Sequence, residues 1–428
     1  MHVGSHPSWS RTPDGAVAIG IFAALLLLIP STQVLPGLRA IGSLAHVMAW
    51  GLLLWWIAEW LTYRHRALDP VSKAMGAMVL IALASYAVGM TLPLHEDQIR
   101  AADRGLVVVL TGLGVVLVAA QGIQTLRQLN AVILVLVCLG GVVGAIALVQ
   151  FATGLDVGSI IKVPLLNQMV TNAGMADVRF GFVRTNATAA HPIELGVVMA
   201  ALSPLGLHLT VQARRLWIAV PTSLMLLAIP TTLSRSGFIA LTVGIVVVML
   251  SWSWLDRLVV LSVMGVLGLL AVVVRPGLGE GVVDLFTLAG SDDSILGRTS
   301  DYDVIGGYLQ TSPLLGTGLG TFLPERFIIL DNQFLLTLID MGAIGLITLV
   351  VLLGTAVMTC ASVSIRSRSG ALSRMAIAVA ASLAAVIVSL GFFDALSFGM
   401  VTGLLWILLG LSGATWHIMR SAPLDVWR

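Results

Sequence analysis

Apolar residues run in long blocks along this chain, and polar residues gather in the gaps between them. About 20 apolar residues in helical form are needed to cross the hydrocarbon core of a bilayer. Twelve blocks meet that length, centred near residues 23, 49, 82, 113, 141, 201, 225, 246, 266, 347, 383 and 406. The pattern predicts an all-α polytopic integral membrane protein with about twelve transmembrane helices and both termini on one side. Most connections are short, but residues 153–191 and 276–330 form two long polar loops that fall on the same face. Long connections without regular structure are uncommon unless they serve a function. The two loops are therefore expected to roof a cavity. With no internal repeat and no soluble segment, residues 1–428 are expected to form one integral-membrane domain.

Composition narrows the class. Of 428 residues, 58% are hydrophobic and 10% charged, against about a quarter charged in soluble domains. The net charge of +2 argues against nucleic acid or a polybasic lipid-binding surface. The placement of the charges says more. With the N-terminus inside, the inner segments hold thirteen Lys and Arg residues and the short outer connections four. The positive-inside rule then puts both termini in the cytoplasm and the long loops outside. The first apolar run, from about Ala16 to Pro30, lacks an A-x-A cleavage signal and reads as a retained span. Cys138 and Cys360 lie in apolar runs and read as small buried hydrophobes, not as a disulfide or metal pair.

Several polar residues then need explaining. Arg235 sits in PTTLSRSGFIALTVG, in a tight turn between two apolar runs. It can snorkel to lipid headgroups, or its planar fork of donors can clamp a phosphate. Arg179 and Arg184 precede a span that opens with His191, Pro192 and Glu194. His191 is either a polar loop residue or a group suited to general-base work or phosphate contact. In the second loop an amphipathic stretch from Arg298 to Gln310 runs into a Gly-rich turn, and Arg298 either pairs with Asp301 or Asp303 or meets a ligand. Tyr302 lies on that stretch, and Arg326 closes the loop. The segment FIILDNQFLLTLIDMGAIGLI, 327–347, places Asp331 before a long helix, where its carboxylate can accept from free backbone N–H groups. Gly342 and Gly345, three apart on one helical face, would let a neighbouring helix approach closely. Asp340, inside the span, calls for a polar partner or a water-filled cavity. In the outer loops Asp292, Asp293, Asp301 and Asp303, the last two spaced as DxD around Tyr302, offer at most weak divalent-cation binding, and neither a metal nor a cofactor is expected.

Three of these pieces carry a family resemblance: TLSRSGFIAL at 232–241, GRTSDYDVIGGYLQTSPLLGTGLGTF at 297–322, and DNQFLLTLIDMGAIGLI, in which Asn332, a nine-residue gap, Gly342 and Gly345 follow one another. They resemble bacterial O-antigen ligases and the related O-antigen and exopolysaccharide polymerases, over roughly residues 170–350. The resemblance implies a membrane glycosyltransferase of the C-type architecture in the bacterial cytoplasmic membrane, acting at the outer face on glycans carried by undecaprenyl diphosphate. It implies that Arg235 and Arg184 hold the diphosphate leaving group. Arg179, Arg298, Tyr302, Asn332 and Arg326 would contact diphosphate or glycan. Asp331 stands where ligases of this family carry a histidine. That departure favours a polymerase over a ligase, with Asp331 or His191 as the base. Membrane lipids, a flippase and chain-length regulators are the further partners such an enzyme implies, and nucleic acid is not one. A ligase acting on a lipid, wall-polymer or protein acceptor, a flippase for the same glycans and a twelve-span transporter stand as alternatives.

Overall fold

The computed structural model describes residues 14–37, 42–62, 67–168, 178–213, 216–287 and 312–421. It is a bundle of helices: α1 (Gly15–Leu28), α2 (Leu44–Thr62), α3 (Pro70–Gly89), α4 (Glu96–Gly122), α5 (Leu126–Thr153), α6 (Val157–Ile160), α7 (Pro192–Ala213), α8 (Leu216–Thr231), α9 (Arg235–Met249), α10 (Trp254–Val274), α11 (Leu278–Thr287), α12 (Gln333–Arg366), α13 (Gly370–Ser389) and α14 (Gly399–Ser421). Among the described residues, nine of them are long and apolar enough to cross a membrane, and α1, α8 and α9 are shorter apolar helices. Together they match the twelve blocks read from the sequence. Local signals set the starts: the Asp69 carboxylate accepts from the backbone N–H groups of Val71 and Ser72, and Pro70 occupies the first turn of α3, where a missing N–H costs nothing.

Burial ranks the helices. Within their spans α7 and α14 are 89% buried and form the centre, whereas α10 is 6% buried and stands at the rim. Two short antiparallel pairs knit the loops at one end. β1 (Gln33–Val34) pairs with β2 (Asn167–Gln168), and β3 (Val178–Arg179) with β4 (Phe182–Val183). The α3–α4 connection joins the same end, because Gly89 packs against Gly318. So does the α13–α14 connection, whose Leu390 carbonyl accepts the Gln333 N–H at 2.8 Å.

The helical run of α12 is broken at Gly342, where φ is 67° and ψ −171°. Residues 313–316 wedge into the break. The Ala343 N–H donates to the Pro313 carbonyl at 2.9 Å and the Ile344 N–H to the Leu314 carbonyl at 3.2 Å, which satisfies groups the interrupted helix leaves without their usual partners. Gly345 makes room for Met341 of the same chain, whose Cβ lies 2.1 Å from where a Gly345 Cβ would stand. The expectation of one small-residue face for a neighbouring helix is thus corrected: both glycines serve the chain's own fold-back. Asp340 finds its polar partners in the Gly-rich turn that follows the wedge. Its carboxylate accepts from the Gly320 and Phe322 N–H groups, each at 3.0 Å, and its carbonyl accepts from the Ser85 hydroxyl at 2.9 Å. The acid inside the span fixes the Gly-rich turn to α12 and α3.

Candidate functional site

Three arginines converge on the turn between α8 and α9. The segment after the β3–β4 hairpin lies along residues 231–233: the Thr185 N–H donates to the Thr231 carbonyl at 3.3 Å, and the two threonine hydroxyls meet at 2.6 Å. Alignment of these strands carries the guanidiniums in. Arg184, 8% exposed, donates through Nε to the Thr232 carbonyl at 2.7 Å. Arg179 donates through Nη1 to the Leu233 carbonyl at 3.4 Å. Arg235, the first residue of α9, donates through Nε to the carbonyl of Leu285 on α11.

The turn itself is strained. Leu233 is fully buried and adopts φ 45°, a left-handed conformation that costs a side-chain-bearing residue on the order of 1–2 kcal/mol. Such strain persists only where the surroundings impose it. Here Leu233 packs with Leu278 and Leu285 and with partly buried Phe151, Phe180 and Phe182. The packing, the arginine bonds and the start of α9 hold one geometry. Free N–H groups and the helix dipole concentrate positive potential at a helix start, and α9 starts at Arg235. This combination suits a diphosphate.

The neighbouring helix starts complete the site. Gly196 and Gly237 approach so closely that a Cβ on Gly237 would lie 3.2 Å from the Gly196 backbone, which sets the first turns of α7 and α9 side by side. His191 precedes α7. Its Nδ1 accepts the Ile193 N–H at 3.2 Å, and its ring lies 6.0 Å from that of Phe398. With Nδ1 accepting, a neutral imidazole carries its proton on Nε2, so His191 is placed to donate a hydrogen bond more than to remove a proton. Glu194, fully buried, accepts from the Ala190 N–H at 2.8 Å and the Met400 N–H at 2.7 Å, and so joins the starts of α7 and α14.

At the start of α12 the helix cap is Asn332, not Asp331 as the sequence suggested. The Asn332 side chain accepts from Phe334 N–H at 3.0 Å and Leu335 N–H at 3.2 Å. Asp331 is half-buried and left out of the cap. An extended Asn backbone whose side-chain oxygen reaches the second and third amides outcompetes an Asp one residue too early. Gln333 binds the α13–α14 loop: its Oε1 accepts the Leu396 N–H at 2.8 Å. That loop brings Asp394 towards Asp331. Burial pushes the Asp394 carboxyl up to about 6, the negative charge of Asp331 adds to the rise, and the Ser397 hydrogen bond and the Arg104 charge oppose it. A carboxyl titrating close to neutrality suits proton transfer.

The caps and the acids can be separated by experiment. Asn332→Ala is expected to destabilise α12 by about 1 kcal/mol, read as a lower thermal unfolding midpoint, whereas Asp331→Ala, which removes no cap bond, lowers the midpoint less. Equal drops in both variants would return the capping role to Asp331.

Not every predicted residue joins the site. Arg326 makes a two-point ion pair with Asp97 of α4, Nε to Oδ2 at 2.7 Å and Nη2 to Oδ1 at 2.9 Å. Arg298 and Tyr302 lie outside the described residues. Asp394 went unread in the sequence, and Gln333 and Glu194 were noticed there without a role. For Asp394 a signal existed: it is the one acid in the short GFFDALSFG connection, among three phenylalanines.

The fold and the apolar helices define an all-α polytopic membrane protein with a cationic site at its loop-bearing end. Residues 220–350 match the family model described as O-antigen ligase. The match is a similarity over 131 of the 428 residues. Arg235, Asp331 and Asn332 fall within it, while Arg179, Arg184, His191 and Asp394 lie outside. No curated protein matches the chain at a significant level.

Proposed function

We propose that the chain is a cell-surface polysaccharide polymerase that transfers a glycan from undecaprenyl diphosphate to a sugar hydroxyl of an acceptor repeat unit. The observation that carries this reading is the convergence of Arg179, Arg184 and Arg235 on one turn. The acceptor oxygen forms its bond to the anomeric carbon as the bond to the diphosphate oxygen breaks. Fixed guanidiniums balance the charge that develops on the leaving diphosphate. The acceptor proton passes to the carboxyl pair of Asp331 and Asp394, and no metal takes part. The loop-bearing end faces outward from the cytoplasmic membrane and both termini face the cytoplasm, in keeping with the distribution of Lys and Arg.

Transfer of a finished chain to a lipid, wall polymer or protein is the second reading, favoured by the description of the matching family. A strain lacking the gene decides between them. Single repeat units left on lipid are the polymerase result; full-length chains held on undecaprenyl diphosphate would instead establish a ligase.

A further inference from the structure

Glu194 is a fully buried acid, and among the described residues it forms no salt bridge. What it holds is backbone. Its Oε2 accepts the Ala190 N–H at 2.8 Å, just before His191, and its Oε1 accepts the Met400 N–H at 2.7 Å, in the first turn of α14. A helix start leaves N–H groups without partners inside the helix, and positive potential gathers there. An ionised carboxylate offers two acceptor oxygens and no donor, so one side chain can bridge the starts of two helices. Buried charge is costly unless it is bonded in this way. A glutamine has one acceptor oxygen and would turn an NH2 group against one of the two N–H groups.

These two bonds lie midway along a run of contacts that crosses the site. On one side Arg235 opens α9, and nearby Gly237 packs on Gly196 of α7, a Cβ on Gly237 coming 3.2 Å from the Gly196 backbone. Glu194 is in the same first turn of α7. On the other side the start of α14 leads back through Phe398, whose carbonyl accepts the Thr402 N–H at 3.0 Å, into the loop that carries Asp394. Gln333 grips that loop at the Leu396 N–H and the Leu390 carbonyl, each at 2.8 Å, beside Asn332 and Asp331. Glu194 is thus the link between the cation side and the acid side.

We propose that Glu194 is a positioning residue: its carboxylate sets the start of α7, beside Arg235, against the start of α14 and the Asp394 loop. It thereby fixes the distance between the leaving diphosphate and the groups that take the acceptor's proton. The assignment rests on the reading in which Arg235 serves the first role and Asp331 with Asp394 the second. A displacement of about 1 Å between reacting groups can cost on the order of 10²-fold in rate. Donor binding is a separate matter, because the arginines are held by their bonds to Thr232, Leu233 and Leu285, none of which passes through Glu194.

The test is a kinetic cycle on the purified full-length protein in lipid nanodiscs, with a polyprenyl-diphosphate-linked repeat unit as substrate and rates taken per folded protein. Glu194→Gln is expected to lower kcat about 10²-fold and to leave KM within about threefold. Leu202→Ala truncates a fully buried side chain elsewhere on α7 and shows what lost stability alone does: it should lower the unfolding midpoint and keep kcat. Asp394→Asn should also lower kcat. Adding Glu194→Gln to it should cost less than about threefold more, because no proton acceptor is left to misplace. If Glu194→Gln does not fold, Glu194→Asp, which keeps both acceptor oxygens on a shorter arm, takes its place in the cycle. A kcat loss no larger than that of Leu202→Ala, a loss confined to KM, or two losses that multiply overturns the positioning role. The underlying reading fails by a different result. Asp394→Asn with wild-type turnover removes the carboxyl pair, and the kcat of Glu194→Gln against that of Leu202→Ala then decides for or against Glu194 alone.

Discussion

Arg235→Ala is expected to lower glycan transfer by on the order of 10³-fold or more while the protein still accumulates in the membrane. Losing a single neutral donor to a developing oxyanion costs about 10²–10³ in turnover, and here a permanent charge aimed at a diphosphate is lost as well. Arg235 is the cleaner probe among the three cations. Arg184 is buried and supports the Thr232 carbonyl, so its removal also disturbs folding. Arg235 is half-buried and donates to the Leu285 carbonyl. Arg235→Lys separates charge from shape: an ammonium keeps the charge but loses the planar fork, and an intermediate rate is expected. A transfer assay with a polyprenyl-diphosphate-linked repeat unit reads both variants. Alanine turnover within tenfold of wild type would remove Arg235 from the leaving-group site.

Gly342→Val is expected to abolish the folded protein, a destabilisation on the order of 4 kcal/mol or more. Two terms add. The backbone at φ 67°, ψ −171° belongs to a region essentially restricted to glycine, and a Cβ would sit 2.3 Å from the Leu314 carbonyl carbon and oxygen. Main chain cannot yield as a flexible side chain can. The wedge of residues 313–316 would be expelled, and with it the turn that holds Asp340. Gly354→Val is the matched control on the same helix, because nothing stands within 4 Å of its added Cβ. Size-exclusion profiles of detergent extracts should show no monodisperse peak for Gly342→Val and a normal one for Gly354→Val. A normal peak for both would mean that the break in α12 is not required for folding.

These residues show what sequence patterns convey and where they stop. The helices were legible because a bilayer imposes one length and one polarity on every span; α10, almost wholly exposed, is as readable as the buried α14. The Arg235 turn was legible because a guanidinium at a span boundary is costly unless it has a task. Tertiary placement was not legible. Gly342 and Gly345 have the spacing of a helix-packing pair, and only the arrival of residues 313–316 turns the first into a break. Asp331 and Asn332 both suit a helix cap, and backbone geometry chose Asn332. Arg326 has the charge for a diphosphate, yet Asp97, 229 positions earlier, claims it. Asp394 gained its importance from Gln333, which draws a distant loop towards Asp331.

Electron cryo-microscopy of the protein with a bound polyprenyl diphosphate would examine the leaving-group site most directly. The expected density places phosphate oxygens about 3 Å from guanidinium nitrogens of Arg184 and Arg235, at the start of α9. Diphosphate density elsewhere, with Arg184 still bonded to Thr232 and Arg235 to Leu285, would contradict it.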